Sequence, residues 1–187
     1  MIEMRNELSV RCKNGVAFLL AGTIIWAMIA VLFLLPISIA QKNIFTLCLT
    51  GLMFPLAVIF SKMVKADWKV ENHPLGVLGL YLNVAQFMYF PILLWAFDQN
   101  PAAMVVLFAV ITGAHFFPYG WFYNARGYYV MAPVISITMM AAGWRAEGAA
   151  LLWVPVGMAA FLLLLSVWLY VDYRQKRKAE NELVTSA

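Results

Sequence analysis

Five residues stand out as able to do chemistry in otherwise apolar surroundings: Asn83 and Gln86 in one stretch, Thr112, His115 and Tyr119 in the next. Thr112, His115 and Tyr119 are three and four positions apart, so they share one face of the helix that carries them. Gly76, Gly79, Asn83 and Gln86 are spaced three, four and three apart and share a face in the same way. The glycines permit close backbone approach, and the amides can then hydrogen-bond across to a neighbouring helix. Counting outward from a turn near Gln99, Asn83 lies level with His115, Gln86 with Thr112, and Ala85 with Gly113. A hydrogen-bonded cluster of Asn83, Gln86, Thr112, His115 and Tyr119 is therefore expected, with Tyr89, Tyr123, Asn124 and Ser136 as outer members.

Two readings of that cluster stay open. Amides, hydroxyls and an imidazole inside a membrane can be packing glue, worth about 0.6 kcal/mol per interhelical bond. An ionisable side chain at that depth can equally mark a ligand, ion or proton pathway.

Missing residues narrow the chemistry. There is no HExxH pair, no G-x-S-x-G elbow and no phosphate-cradling glycine loop. With His73 and His115 the only histidines, a histidine-rich zinc site is not available. His115 and Tyr119 could give acid–base help, but no partner carboxylate is visible. No catalytic residue, metal or cofactor is assigned, and a non-enzyme is expected. An intramembrane enzyme on a lipid-like substrate, with His115 as acid or base, is the alternative.

The elements that position these residues are set by composition. Apolar residues make up 64% of the 187 residues and charged residues only 12%, about half the usual share of a soluble domain. With a mean hydropathy of +0.82, the chain reads as one membrane domain without room for a soluble one. Charges fence off six apolar stretches at about 15–40, 44–60, 74–97, 101–123, 128–144 and 149–170. Each is about 17–26 residues long, enough to cross a hydrocarbon layer of ~30 Å as a helix. The fold class is an all-α bundle of six transmembrane helices over residues 1–171, followed by a basic, then polar, tail over 172–187 that ends frayed or disordered.

Orientation follows from lysine and arginine. With the N-terminus cytoplasmic, Arg5, Arg11, Lys13, Lys62, Lys65, Lys69, Arg126, Arg174, Lys176, Arg177 and Lys178 lie inside, against Lys42 and Arg145 outside. Both termini are then cytoplasmic. Most tryptophans and several tyrosines fall near the expected span ends; Trp26 lies mid-span and should pack on another helix. Ser38-Ile39-Ala40 resembles a cleavage site, but the preceding apolar run exceeds the ~7–15 residues of a signal h-region, so the first span is kept as a mature helix. A proline falls in each span, Pro36, Pro55, Pro91, Pro118, Pro133 and Pro155, and could kink it. The halves show no alignable repeat. The loop Ser61–His73 reads as solvated, or as a turn lying on anionic headgroups. Cys12 and Cys48 should sit at different depths as free thiols.

Four segments carry a resemblance: Leu8-Ser9-Val10-Arg11, Phe33-Leu34-Leu35-Pro36-Ile37-Ser38, Pro74-Leu75-Gly76, and Gly113-Ala114-His115-Phe116-Phe117-Pro118-Tyr119-Gly120-Trp121. Together they resemble an uncharacterised family of small bacterial integral membrane proteins, over most of the chain except the tail. The resemblance implies a multi-pass protein of the bacterial cytoplasmic membrane and brings no established activity. The expected partners are the bilayer and a small-molecule or lipid ligand bound or translocated at the polar cluster. A homo-oligomer, or an accessory role in which the polar face meets a partner, is compatible with the same residues. Nucleic acid is not expected, because the basic residues lie between apolar segments and at the ends.

Overall fold

A computed structural model describes residues 1–70 and 73–185, without side chains at 181 and 183–185. Among the described residues the chain is helical throughout, with no strand. The helices are α1 (Ile2–Arg11), α2 (Val16–Leu34), α3 (Ile39–Thr50), α4 (Met53–Val64), α5 (Gly76–Ala85), α6 (Phe90–Gln99), α7 (Pro101–His115), α8 (Phe117–Phe122), α9 (Arg126–Gly143) and α10 (Trp153–Thr185).

Proline and capping chemistry explain the breaks. Leu35 turns extended ahead of Pro36, and Ser38 opens α3 with a capping box closed by Gln41. The residues Ser38 to Ala40, expected to end the first span, therefore begin the second. That second span is itself two helices, α3 and α4, bent by 46° where Gly51 and Leu52 join them. Pro91 has no N–H to offer the Phe87 carbonyl; the Phe90 N–H takes it instead, and Gln86–Tyr89 tightens to a 3₁₀ turn between α5 and α6. Pro118 likewise cannot serve Ala114, and the chain breaks at Phe116 between α7 and α8. His115 is thus the last residue of α7.

Four stretches are long and apolar enough to cross a membrane: Lys13–Leu34, Gly76–Gln99, Pro101–Phe122 and Gly148–Glu180. The bent α3–α4 pair makes a fifth if it is one span. The remaining expected span corresponds to α9, whose 18 residues open with Arg126, Gly127 and two tyrosines. The tail expected after Asp172 is helical, a continuation of α10 as far as Thr185. Ser186 and Ala187, where fraying was expected, lie outside the described residues.

The core forms where α2 packs on α10 and α7 on α9. Ile29, Ile135, Met158, Leu162 and Leu165 are fully buried there, and Trp26 stacks on Phe108 of α7 at 5.0 Å. The α7–α9 seam depends on glycine. A Cβ at Gly143 would stand 2.3 Å from Val106, and one at Gly113 would stand 2.7 Å from Ile135 and 3.0 Å from the Ser136 backbone nitrogen. Gly113 therefore seats α7 on α9, and the contact expected with Ala85 is not where that glycine is used.

At the end of the bundle where α2 begins, α1 is tied to the other helices. Lys13, Asn14 and Gly15 all have positive φ (50°, 54° and 74°), which turns the chain sharply into α2. The turn is held by Asn14, which is fully buried. Its amide donates to the Leu169 carbonyl (2.9 Å) and Asp172 (2.8 Å), its side-chain oxygen accepts from Ser9 (2.5 Å), and its backbone carbonyl accepts from Tyr128 (2.7 Å). Lys176 completes the knot with bonds to Ser9, Tyr123, Asn124 and Asp172.

Candidate functional site

A cavity of about 550 Å³ lies between α2, α4, α5 and the α7–α8 break. Asn83, Gln86, Thr112, His115 and Tyr119 all line it. Its other walls are mainly apolar, including Phe18, Trp26, Met53, Phe54 and Leu80. The volume falls in the range of about 300–1,000 Å³ typical of small-molecule sites.

Within the five, one hydrogen bond joins separate elements. The Gln86 amide nitrogen stands 2.6 Å from His115 Nε2, so as placed it donates to the ring and leaves the proton of a neutral imidazole on Nδ1. Tyr119 meets the same ring edge-on at 5.2 Å. The other expected bonds close locally: Asn83 donates to the Gly79 carbonyl (2.8 Å) and Thr112 to the Phe108 carbonyl (2.8 Å). The five side chains border a space and do not fill it as a continuous network. The register also differs, because Gln86 meets His115 where Thr112 was expected. The 3₁₀ turn rises about 2.0 Å per residue rather than 1.5 Å and lowers Gln86 from the Gln99 turn toward the level of His115.

The outer members separate. Tyr123 is buried, lines the cavity and stacks near Tyr119 (6.0 Å) and Tyr128 (6.1 Å). Asn124 sits beside α1, accepting from Arg5 and donating to Asn6. Ser136 donates to the Val110 and Ala132 carbonyls on the α7–α9 seam, and Tyr89 is exposed.

Sequence reasoning missed the mouth. Ser61, Asp67, Trp68, Lys69 and His73 line this end of the cavity. The loop expected to be solvated folds over it: Asp67 bonds Arg11 at 2.7 Å, and the Trp68 ring meets Phe54 edge-on at 5.8 Å. Glu71 and Asn72 of that loop lie outside the described residues. Burial opposes ionisation of Asp67, but Arg11 and the N–H groups of Val70 and Lys69 outweigh it and hold the carboxyl below its usual range. His73 accepts from the Leu75 N–H at Nδ1 and holds the Met4 carbonyl at Nε2, both at 3.1 Å. Cys12, also at this end, is buried, which pushes its thiol up to about 12; Cys48 is exposed. Trp68 set among the polar residues of this loop was the available signal, and only the fold shows that Asp67, Trp68 and Lys69 line the cavity.

A family of unknown function, DUF7010, matches residues 1–172. The chain belongs to that family. The match ends at Asp172, the residue that bonds Asn14, so it takes in every cavity residue and stops within α10. No curated protein and no solved structure matches the chain.

Proposed function

We propose that this is a non-catalytic multi-pass protein of the bacterial cytoplasmic membrane that binds, or passes across the bilayer, a small or lipidic molecule held in the cavity. In this reading α9 is the sixth span and both termini are cytoplasmic. The excess of lysine and arginine on one side supports that topology. The observation that carries the functional reading is the convergence of all five polar side chains on one apolar-walled space. Packing glue would bring such groups together; here four of them meet only their own helix or a single partner.

The wall formed by α5 supports a lipid-side route. Of the Gly76–Gln99 span only Leu93 and Ala96 are buried, none of α5 is, and α5 packs extensively on no other helix. The test is to purify wild type and His115→Phe in lipid nanodiscs and extract the small molecules each retains. Wild type should hold a species that the folded variant has lost. Equal retention would sink the proposal, and turnover of an added lipid that depends on His115 would favour an enzyme instead.

A further inference from the structure

The chemistry of the ligand follows from which polar atoms around the cavity are already used. At the mouth, both Asp67 oxygens are engaged, one by Arg11 and the other by the Lys69 and Val70 N–H groups. Both ring nitrogens of His73 are engaged as well. Deeper in, Asn83 Oδ1, Gln86 Oε1, His115 Nδ1 and the Tyr119 hydroxyl have no hydrogen-bond partner among the described residues. Ser61 Oγ lines the same cavity; its residue is 1% exposed and the hydroxyl has no partner. The Ser61 hydroxyl is fully enclosed and costly to leave unmet, while the other four atoms are open to the cavity, where a ligand's polar group can reach them.

Every one of these groups is uncharged, and together they offer both donors and acceptors. Among the described residues the charged side chains that line the cavity are Asp67 and Lys69, both on the loop that folds over it and neither on the helices that carry Gln86 and His115. An ionised head placed there would lose its hydration with no counter-charge to replace it. A hydroxyl or carbonyl, in contrast, could accept from His115 Nδ1–H or Tyr119, and a hydroxyl could also donate to Gln86 Oε1 or Asn83 Oδ1. Elsewhere along its walls Phe18, Trp26, Met53, Phe54 and Leu80 offer only apolar contact. A volume of about 550 Å³ accommodates one chain or one small ring system, not a whole two-chain phospholipid.

Resting on the cavity-binding reading above, we infer that the ligand is an uncharged amphiphile, with a hydroxyl or carbonyl head received between Gln86 and His115 and an apolar body lying along α2 and α5. It enters from the bilayer past the loosely packed α5.

The experiment uses the full chain in phosphatidylcholine nanodiscs and the quenching of tryptophan fluorescence by brominated C18 chains that differ only in the head: alcohol, sulfonate or trimethylammonium. Trp26 lines the cavity, so the quenching lost in Trp26→Phe is the cavity signal. The alcohol should saturate that signal at a membrane mole fraction at least about tenfold lower than either charged chain, as expected when a charge is buried unpaired. Gln86→Leu and His115→Phe should each weaken the alcohol several-fold. Gln86→Glu keeps the shape and should turn the preference toward trimethylammonium. If Gln86→Leu or His115→Phe fails to fold, Gln86→Glu alone decides, and an unchanged order of heads overturns the inference. A charged chain that binds as tightly as the alcohol also overturns it, while leaving the cavity-binding reading intact. If no chain gives quenching that Trp26→Phe removes, the cavity-binding reading falls as well.

Discussion

The knot around Asn14 and the mid-span band around His115 are built from the same kinds of side chain and are used in opposite ways. In the knot, Asn14 spends its amide on Leu169 and Asp172 and its oxygen on Ser9, and Lys176 reaches four oxygens, those of Ser9 and Asp172 and the Tyr123 and Asn124 carbonyls. In the band, His115 has one hydrogen-bond partner, Gln86, and the Tyr119 hydroxyl has none among the described residues. Buried polar groups that all find partners specify a single packing. Groups left unpaired around a space hold capacity for something else. Polarity within a span is therefore a poor guide to function until its partners are counted.

The largest effect should come from breaking the knot. Asn14→Ala takes one partner each from Ser9, Asp172 and the Leu169 carbonyl, the first two keeping only Lys176, and keeps a non-glycine residue at φ 54°. The expected loss is about 3 kcal/mol, from three lost buried hydrogen bonds and a strained turn. Thermal unfolding in nanodiscs would show it as a lower midpoint. A change below ~0.5 kcal/mol would mean the knot is ornamental and the contrast drawn above is wrong.

Next comes the seam that fixes α7. Gly143→Ala drives a methyl group into Val106, and the expected cost is about 1–3 kcal/mol of overpacking. His115→Phe should behave differently. It removes one interhelical bond, worth about 0.6 kcal/mol, so stability should barely move while retention of the cavity ligand is lost. If His115→Phe destabilises as much as Gly143→Ala with no change in retention, the band is packing of the same kind as the knot.

Helical periodicity made much of this legible. The 3.6-residue spacing put Thr112, His115 and Tyr119 on one face, and the glycine–amide stripe put Gln86 opposite, because those patterns are local. What stayed hidden was set by long-range closure. The Gln86–His115 register shifted through a 3₁₀ turn that Pro91 allows but does not by itself dictate. Gly113 was legible as a site of close approach, but α9 and α5 were equally available partners in one dimension. The N-terminal segment read only as a carrier of positive charge. Its role as α1, anchored more than a hundred and fifty residues away on Asp172 and Lys176, has no local signature. Trp26 was the favourable case: a mid-span indole must find a helix to pack on, and it found Phe108.

The smallest expected effect is at the mouth, where the charged residues that line the cavity, Asp67 and Lys69, lie. Asp67 bonds Arg11 at 2.7 Å, but side-chain exposures of 37% and 33% leave the pair screened by water. Its contribution to stability should be only a few tenths of a kcal/mol. The sign is set by the folded-state carboxyl, which is held below its usual range. The pair then stabilises fully above the unfolded carboxyl's pKa and loses that contribution as pH falls through the lower, folded value. Asp67→Asn should therefore be slightly less stable than wild type at neutral pH and indistinguishable from it in strong acid. At neutral pH its binding of a neutral brominated alcohol should match that of wild type, because the polar groups that receive the head are uncharged there and do not include Asp67. A binding loss that tracks Asp67 ionisation would place the head at the mouth and reverse the assignment of the two ends of the cavity.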